Sequence, residues 1–581
     1  MMREDETMKK IIIFGASSTG ISAMELLKKE YDIIGFSDNN CDKWNSYIKG
    51  KKIFPPKDLV EMENVEIIIA SVYYAAISKQ LRQLGITKIK IFYCYGAANY
   101  SNISDVKYDL FEIGDVDLFR DCVYHKKEMK KKCIKNVHTS KKKKVLFCAY
   151  IFPPLGESGV QRSLKFVKYL QEHDFEPIVL TVGNNNGKIG YDYTLLDEVD
   201  KNVQVIRIDE DIVLPEMLSL DDRQNIYDLY AGLLKDKEDS EELVSALDDG
   251  KGFLPDNSMI WVNECLKKID DVLDLQDIDV IYTTGAPFSC HILGYYLKKK
   301  TGIPWVQDYR DPWLSNDYYL NTYKKISKER IGIGRKIEKE LVSYSDKIIV
   351  IADNLKYDYQ DKYDIGTEKI IEITNGYDEL DFKELTKNQS KEDKFIICYN
   401  GSIYAKRNPM PVLEAVNRLI EEGMVDKEEI VWIFNGKIEK KWMDMLLEKD
   451  IYDIIVYNGY LTHVESISRA IEADILILNG DEGEGSKYVY TGKLFEYLYM
   501  KRPILALSGA GGVIEKVLEK TQSGKNFEYT DIVGIKRMIL ENYLSWKKGE
   551  EVFSPRDEEI AKYSRRALTS KLAEIFLDVM K

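Results

Sequence analysis

Four short constellations in this chain carry residue types suited to holding phosphates or other polar ligands. Gly15-Ala16-Ser17-Ser18-Thr19-Gly20 lies between an apolar run and an amphipathic stretch containing Ile21, Met24 and Leu27. A glycine turn there gathers backbone N–H groups and a helix dipole at one point, a natural seat for a phosphate. Its spacing is Gly-x-Ser-x-x-Gly, not the Gly-x-Gly-x-x-Gly of dinucleotide sites, and Ile21 stands where a P-loop needs lysine. Asp38 falls 18 residues past Gly20, near the spacing of a ribose-binding carboxylate. The competing reading is that Gly15 and Gly20 only let a helix pack closely on a strand. The second constellation is Gly156-Glu157-Ser158-Gly159 after Pro153-Pro154. Its glycines allow close approach to a ligand, and Ser158 is placed to cap the helix that follows. The third is Asp308-Tyr309-Arg310-Asp311, with His291 on the preceding segment. Carboxylates and an arginine at the C-terminal end of a parallel strand sit where open α/β sheets bind ligands. A structural ion pair is the plain alternative. The fourth is Gly492-Lys493, a backbone N–H and a cation that can serve phosphates.

The elements that must position these groups follow from the apolar pattern. Ile11–Phe14, Ile67–Ala70, Val145–Cys148, Val280–Tyr282, Ile348–Val350, Phe395–Ile397, Val431–Phe434 and Ile475–Leu478 are short and continuous. Such runs are strands of parallel sheets covered on both faces. With the interleaved helices they predict an α/β chain of three doubly wound, Rossmann-like domains. The expected organisation is a first domain over 1–125, a linker over 126–144 holding ten lysines, and a second domain over 145–385 with an acidic helical insertion at about 212–260. A third domain spans 386–555, and a tail helix spans 556–581.

Length and composition agree. A chain of 581 residues is enough for three or four domains. With 44% apolar and 31% charged residues it is an ordinary globular sequence. A net charge of −14 argues against a general nucleic-acid coat. No run of 18 apolar residues predicts a membrane span, and the acidic start lacks the order of a signal peptide. The eight cysteines and five histidines are dispersed, with no Cys-x-x-Cys. No zinc site or disulfide framework is expected, and a reducing cytoplasm fits.

Phe36-Ser37-Asp38-Asn39-Asn40, followed by Gly50 and Pro55-Pro56, resembles the nucleotide- or sugar-nucleotide-binding N-terminal domain of bacterial sugar acetyltransferases. From Ala149 nearly to the C-terminus the chain resembles family 4 glycosyltransferases of the bacterial surface-polysaccharide branch. The blocks that carry this are Phe253–Trp261, Gly285–His291, Asp308–Trp313, Asn375-Gly376, Tyr399–Pro409, Asn458–His463 and Tyr488–Leu498 with Arg502-Pro503-Ile504. The resemblance implies a GT-B pair of domains around a cleft and a UDP- or GDP-sugar donor, with no cofactor required. It implies transfer with retention to a lipid-linked or growing polysaccharide. Glu496 would then hold the ribose hydroxyls, since a carboxylate accepts from two vicinal donors. Gly401, Gly492 and Lys493 would line the donor site, and Lys406 and Arg407 would clamp the diphosphate as it gains charge. His291 would face the donor sugar, Asp308 would stand with it, Lys406 and Arg407 among the catalytic residues of the cleft, and Gly156 and Gly159 would admit the acceptor. Two positions depart from the pattern: Tyr488 replaces a usual glutamate and Ser402 a frequent arginine. These leave the donor sugar open, and also the alternatives of a sugar-nucleotide-binding regulator or a bifunctional protein whose first domain senses or modifies a sugar nucleotide. The lysine-rich stretch suits either a peripheral contact with anionic lipid or a solvated linker.

Overall fold

The computed structural model describes the chain except residues 1–7, 17, 63, 71–73, 95–107, 113–141, 157–158, 184–188, 211–217, 235–251, 315–326, 384–393, 405–406, 448–451, 460, 462, 481, 483–486, 488–489 and 551–552. Ser17, Ser158, Lys406, Tyr488, most of the lysine-rich stretch and the polar linker 384–393 lie outside the described residues. The chain divides into two compact units, Met1–Thr139 with Asn186–Lys188, and the remainder.

Among the described residues the first unit is built on seven strands: β1 (Lys9–Phe14), β2 (Tyr31–Ser37), β3 (Tyr47–Ile48), β4 (Lys51–Phe54), β5 (Val65–Ile69), β6 (Ile89–Cys94) and β7 (Tyr108–Glu112). Their order is β3-β4-β2-β1-β5-β6-β7. The pairs β3–β4 and β6–β7 are antiparallel and the rest parallel. Ile11 and Ile13 face one core and Ile12 and Phe14 the other, so a run without polar residues is what this central strand requires. Helix α1 (Ser18–Leu27) covers the first face and α2 (Tyr74–Gln83) the second.

The second unit holds two sheets. The first contains β8 (Lys143–Cys148), β9 (Phe175–Val182), β10 (Gln204–Ile208), β11 (Val280–Gly285), β12 (Trp305–Tyr309), β13 (Lys347–Val350) and β14 (Ile370–Glu372), in the order β10-β9-β8-β11-β12-β13-β14. The second contains β15 (Phe395–Asn400), β16 (Ile430–Asn435), β17 (Ile455–Gly459), β18 (Ile475–Asn479), β19 (Ile504–Leu507) and β20 (Gly524–Phe527), ordered β17-β16-β15-β18-β19-β20. Every strand pair in both is parallel. The first sheet is flanked by α3 (Val160–Leu170), α4 (Leu220–Leu234), α5 (Met259–Val272), α6 (Ser289–Thr301), α7 (Lys328–Tyr344) and α8 (Asp353–Tyr363). The second is flanked by α9 (Met410–Glu421), α10 (His463–Ala470) and α11 (Lys493–Met500), and α12 (Arg565–Val579) ends the chain.

Two expectations are corrected here. The region read as an insertion is part of the first sheet's core where it is described. Ile226, Tyr230 and Leu233 of α4, and Phe253, Leu254 and Ile260, are all buried in it. Only one side of α4 is acidic, with Asp221 and Asp228 exposed, so a count of charges hides its apolar face. The tail read as one helix is two. A short helix, Asp557–Ala561, is separated from α12 by Ser564, whose hydroxyl accepts from the Ala567 amide at 3.1 Å and so caps α12. Helix α12 lies against α3 in the first half, where Phe576 meets Phe175 and Tyr282 at ring-centroid distances of 5.6 and 5.9 Å.

Candidate functional site

In the first unit the glycine turn is closed tightly by its own chain. The Gly15 amide donates to the Ser37 carbonyl at 2.8 Å, and a Cβ at Gly20 would lie 1.9 Å from the Gly15 carbonyl oxygen. Asp38 is already engaged. Its Oδ2 accepts from the Ala16 amide at 2.9 Å and from Lys43 at 3.0 Å, and its Oδ1 accepts from the Asn40 amide at 2.9 Å. The carboxylate expected to take ribose hydroxyls instead braces the loop, because the end of β2 lies beside the end of β1.

At the C-terminal end of the second unit's first sheet, Gly156 and Gly159 make room for protein. A Cβ at Gly156 would press on Asp192 at 2.7 Å, and one at Gly159 would fall on the Arg310 guanidinium. Arg310 in turn donates to the Ala286 carbonyl. Asp308, expected among the catalytic residues of the cleft, is fully buried below this rim. Its two oxygens accept from Arg162 at 2.8 and 2.7 Å, from Tyr282 at 2.6 Å and from Thr284 at 3.1 Å. Burial alone would raise its carboxyl, but the Arg162 guanidinium outweighs that and holds it below the usual range. Both oxygens of Asp308 are thus taken up by its own protein neighbours. Arg162 carries the brace onward to the Ile373 and Thr374 carbonyls at 2.9 and 2.7 Å. His291 is also buried, its Nδ1 2.8 Å from the Thr283 hydroxyl. Burial pushes it down to about 3, so it is neutral at physiological pH. Its Nε2 has no partner and faces the Gly285–Phe288 turn.

The second sheet ends in an asparagine ladder. The Asn458 side-chain amide donates to Asn435, and Asn435 to Asn400, each at 2.8 Å. The Gly401 amide donates to Asn435 and the Gly436 amide to Gly459, both at 2.6 Å. Gly401 has φ +130°, and a Cβ there would lie 1.9 Å from Lys493 Nζ. That ammonium also lies 5.2 Å from the Tyr399 ring centre. Burial, helped by the nearby Arg407, pushes Lys493 down to about 8, so it remains mostly protonated at neutral pH. The Arg407 guanidinium lies over the Tyr404 ring at 4.6 Å. Helix α11 is registered to β15 by its Tyr497 hydroxyl, which accepts from the Asn400 amide at 3.0 Å. Registry of the helix brings Lys493 to Gly401 and sets Glu496 one turn along, where its Oε1 lies 2.8 Å from His463 Nε2. Gly492 opens α11 with nothing within 4 Å of a Cβ. The structure thus gathers Gly401, Arg407, Gly492, Lys493 and Glu496 at one sheet end, while His291 and Asp308 belong to the other sheet.

Where the two halves meet, Lys165 is buried among Glu198, Asp378 and Asp381 at 2.6, 2.8 and 2.9 Å. These carboxylates already surround an ammonium, which outweighs the cost of burying it. Sequence reading missed Lys165, Arg162 and Arg565. The available signal was two cations three apart in a helix whose other residues are nearly all buried.

No curated protein sequence matches this chain. A family described as C2185-like, N-terminal, matches residues 7–92, within the first unit. Among solved structures the chain is similar to a glycosyltransferase from Rickettsia africae ESF-5, with 16% identity over 76% of this chain and 100% of that one, at a TM-score of 0.50. It is similar also to Anabaena Alr3699/HepE in complex with UDP-glucose (11% identity, 75% of this chain and 99% of that one, TM-score 0.48). Sucrose-phosphate synthase from Thermosynechococcus elongatus gives the same identity, coverage and score. No helix among the described residues is long and apolar enough to cross a membrane. The likeness is one of fold: the two parallel sheets of the second unit form the paired α/β architecture of GT-B glycosyltransferases.

Proposed function

We propose that this protein is a nucleotide-sugar glycosyltransferase whose donor lies on the second sheet of the second unit. One observation carries the reading. Among the described residues Lys493 makes no ion pair or hydrogen bond, yet it is held beside Gly401, near Arg407, one helical turn before Glu496. A largely buried cation held in place without a carboxylate partner is arranged for an incoming anion. A carboxylate one turn further along the helix suits the ribose of the same nucleotide.

In this reading Glu496 accepts from the ribose hydroxyls, and Lys493 and Arg407 take the diphosphate. Lys406 adds to that clamp. The bond from the anomeric carbon to the diphosphate oxygen breaks, with its electron pair leaving on the diphosphate, and these cations stabilise the charge that develops. A hydroxyl of a lipid-linked or growing polysaccharide forms the new bond. Its proton passes to the departing phosphate oxygen on the same face, so the configuration is retained and no side-chain base is needed. The acceptor enters over the Gly156–Gly159 and Arg310 rim, with neutral His291 beneath it, and closure of the halves excludes water.

The test is release of nucleoside diphosphate from a panel of UDP-, GDP-, TDP- and ADP-sugars, with Glu496→Ala beside the wild type. Slow hydrolysis of one donor, lost in the variant, supports the reading and names the donor. Tight nucleotide binding with no turnover of any donor, even with polysaccharide acceptors added, overturns it in favour of a sugar-nucleotide-binding regulator.

A further inference from the structure

Arg565, the first residue of α12, is only 7% exposed, and its Nη1 is buried without a partner. Among the described residues its guanidinium makes no hydrogen bond or ion pair. Buried guanidinium groups are normally paired, because an unpaired buried charge is strongly unfavourable. Two other buried cations of this junction obey that rule. Arg162 is bound to Asp308 and two carbonyls, and Lys165 to three carboxylates.

The position of Arg565 is fixed from several sides. Its backbone amide donates to the Tyr377 carbonyl at 2.7 Å. Two residues earlier, Tyr563 packs on Phe495 of α11 at a ring-centroid distance of 5.5 Å, and the Tyr563 carbonyl oxygen would be 2.2 Å from a Cβ on Gly376. Arg565 therefore sits where the segment joining the two sheets, the helix carrying Glu496 and the tail helix come together. It interacts electrostatically with Arg162, Glu496, Asp381 and Asp378. Both aspartates attract it from a distance, but neither is in ion-pair contact with it: their oxygens are taken up by Lys165, and Asp378 also accepts from Tyr169 and the Leu380 amide. Burial and the repulsion of Arg162 push Arg565 down to about 10, which leaves it charged at neutral pH.

We propose that Arg565 is an anion-binding residue at the junction of the two halves, and that its ligand is a phosphate oxyanion. The assignment rests on the glycosyltransferase reading for the source of that phosphate, either the diphosphate of the donor or a phosphate of the acceptor. A guanidinium offers paired N–H donors in a plane, the geometry that phosphate oxygens accept best. Because it comes from the tail helix, the tail becomes part of the ligand seat.

The experiment is calorimetric titration of the full chain, wild type, Arg565→Gln and Arg565→Lys. The probes are UDP, GDP, uridine, guanosine, inorganic pyrophosphate and decyl phosphate, with decanol as the uncharged control. In Arg565→Gln we expect about a tenfold or greater loss of affinity for the phosphate probes and none for the nucleosides. Arg565→Lys should lose less. A loss confined to UDP or GDP and pyrophosphate assigns the donor diphosphate. A loss confined to decyl phosphate assigns the acceptor. If the wild type binds pyrophosphate or decyl phosphate through Arg565 but no nucleotide, the anion site stands and the glycosyltransferase reading falls. Unchanged affinities in Arg565→Gln, or a wild type that binds none of the charged probes, overturn the proposal. If Arg565→Gln does not fold, Arg565→Lys is read alone: several-fold weaker binding of a phosphate probe supports the proposal and unchanged binding overturns it.

Discussion

His463 and Glu496 stand 33 residues apart in the chain, and in the folded protein Nε2 of the first lies 2.8 Å from Oε1 of the second. One oxygen of the carboxylate proposed to hold ribose is thus already in contact with an imidazole from the start of α10. The Glu496 contact raises His463 above its ordinary value, against the opposing effect of burial. Asp381 raises it further and Lys165 works the other way.

A nucleoside diphosphate that takes Oε1 of Glu496 must displace the imidazole and with it a proton. Affinity should therefore rise with pH up to the raised pKa of His463 and level off above it. His463→Ala should remove this dependence. Titration in two buffers of different ionisation enthalpy reads the proton directly, and wild-type binding with no proton release would refute the displacement.

Gly401 and Gly492 flank the same lysine, yet substitution should separate them. At Gly401 the φ of +130° and the Lys493 ammonium 1.9 Å from a Cβ both oppose alanine. Gly401→Ala should destabilise the second unit by about 1–3 kcal/mol and weaken nucleotide binding. Gly492 has φ −57° and open space around it, so Gly492→Ala should melt at or slightly above the wild-type temperature. Thermal melts of the two variants give the comparison, and equal losses would contradict it.

Glu338 should make stability fall as pH rises. Burial pushes this carboxyl of α7 up to about 7, although the Tyr363 and Tyr359 hydroxyls donate to it. Near pH 4 both folded and unfolded forms are protonated. Between about 4.5 and 7 the unfolded chain ionises first, which favours unfolding. Above pH 7 the full loss is reached, on the order of 3 kcal/mol. Glu338→Gln should raise the melting temperature at pH 7.5 and leave it nearly unchanged at pH 4.5. An equal shift at both values would show that its effect is not proton-linked.

The sheets were legible because parallel strands buried on both faces must be written as unbroken apolar runs. Val280–Tyr282 and Ile475–Leu478 are such runs, and each lies inside a fully buried strand. β20 has no such mark: Gly-Lys-Asn-Phe at a sheet edge pairs with β19 alone and needs no apolar run. Lys493 and Glu496 were marked by the resemblance of Tyr488–Leu498 to a glycosyltransferase block, and the structure sets both on one short helix that follows Gly492. The brace was not legible. Arg162 meets Asp308 across 146 residues and Lys165 meets Asp381 across 216. From the sequence Asp308 was only an acid at a strand end, and nothing local tells a carboxylate that faces a ligand from one that holds an arginine. The Asp38 contact with the Ala16 amide is likewise non-local, made across 22 residues that hold α1 and β2.

The tail helix has a consequence for synthesis. A ribosome delivers the strands of the second unit's first sheet well before Phe576, which covers Phe175 and Tyr282. That half cannot finish its own core as it emerges and must wait, with apolar surface uncovered, until the whole second half has been made. Vectorial synthesis and order of assembly run opposite ways here, so nascent chains stalled before α12 are the species most in need of chaperones.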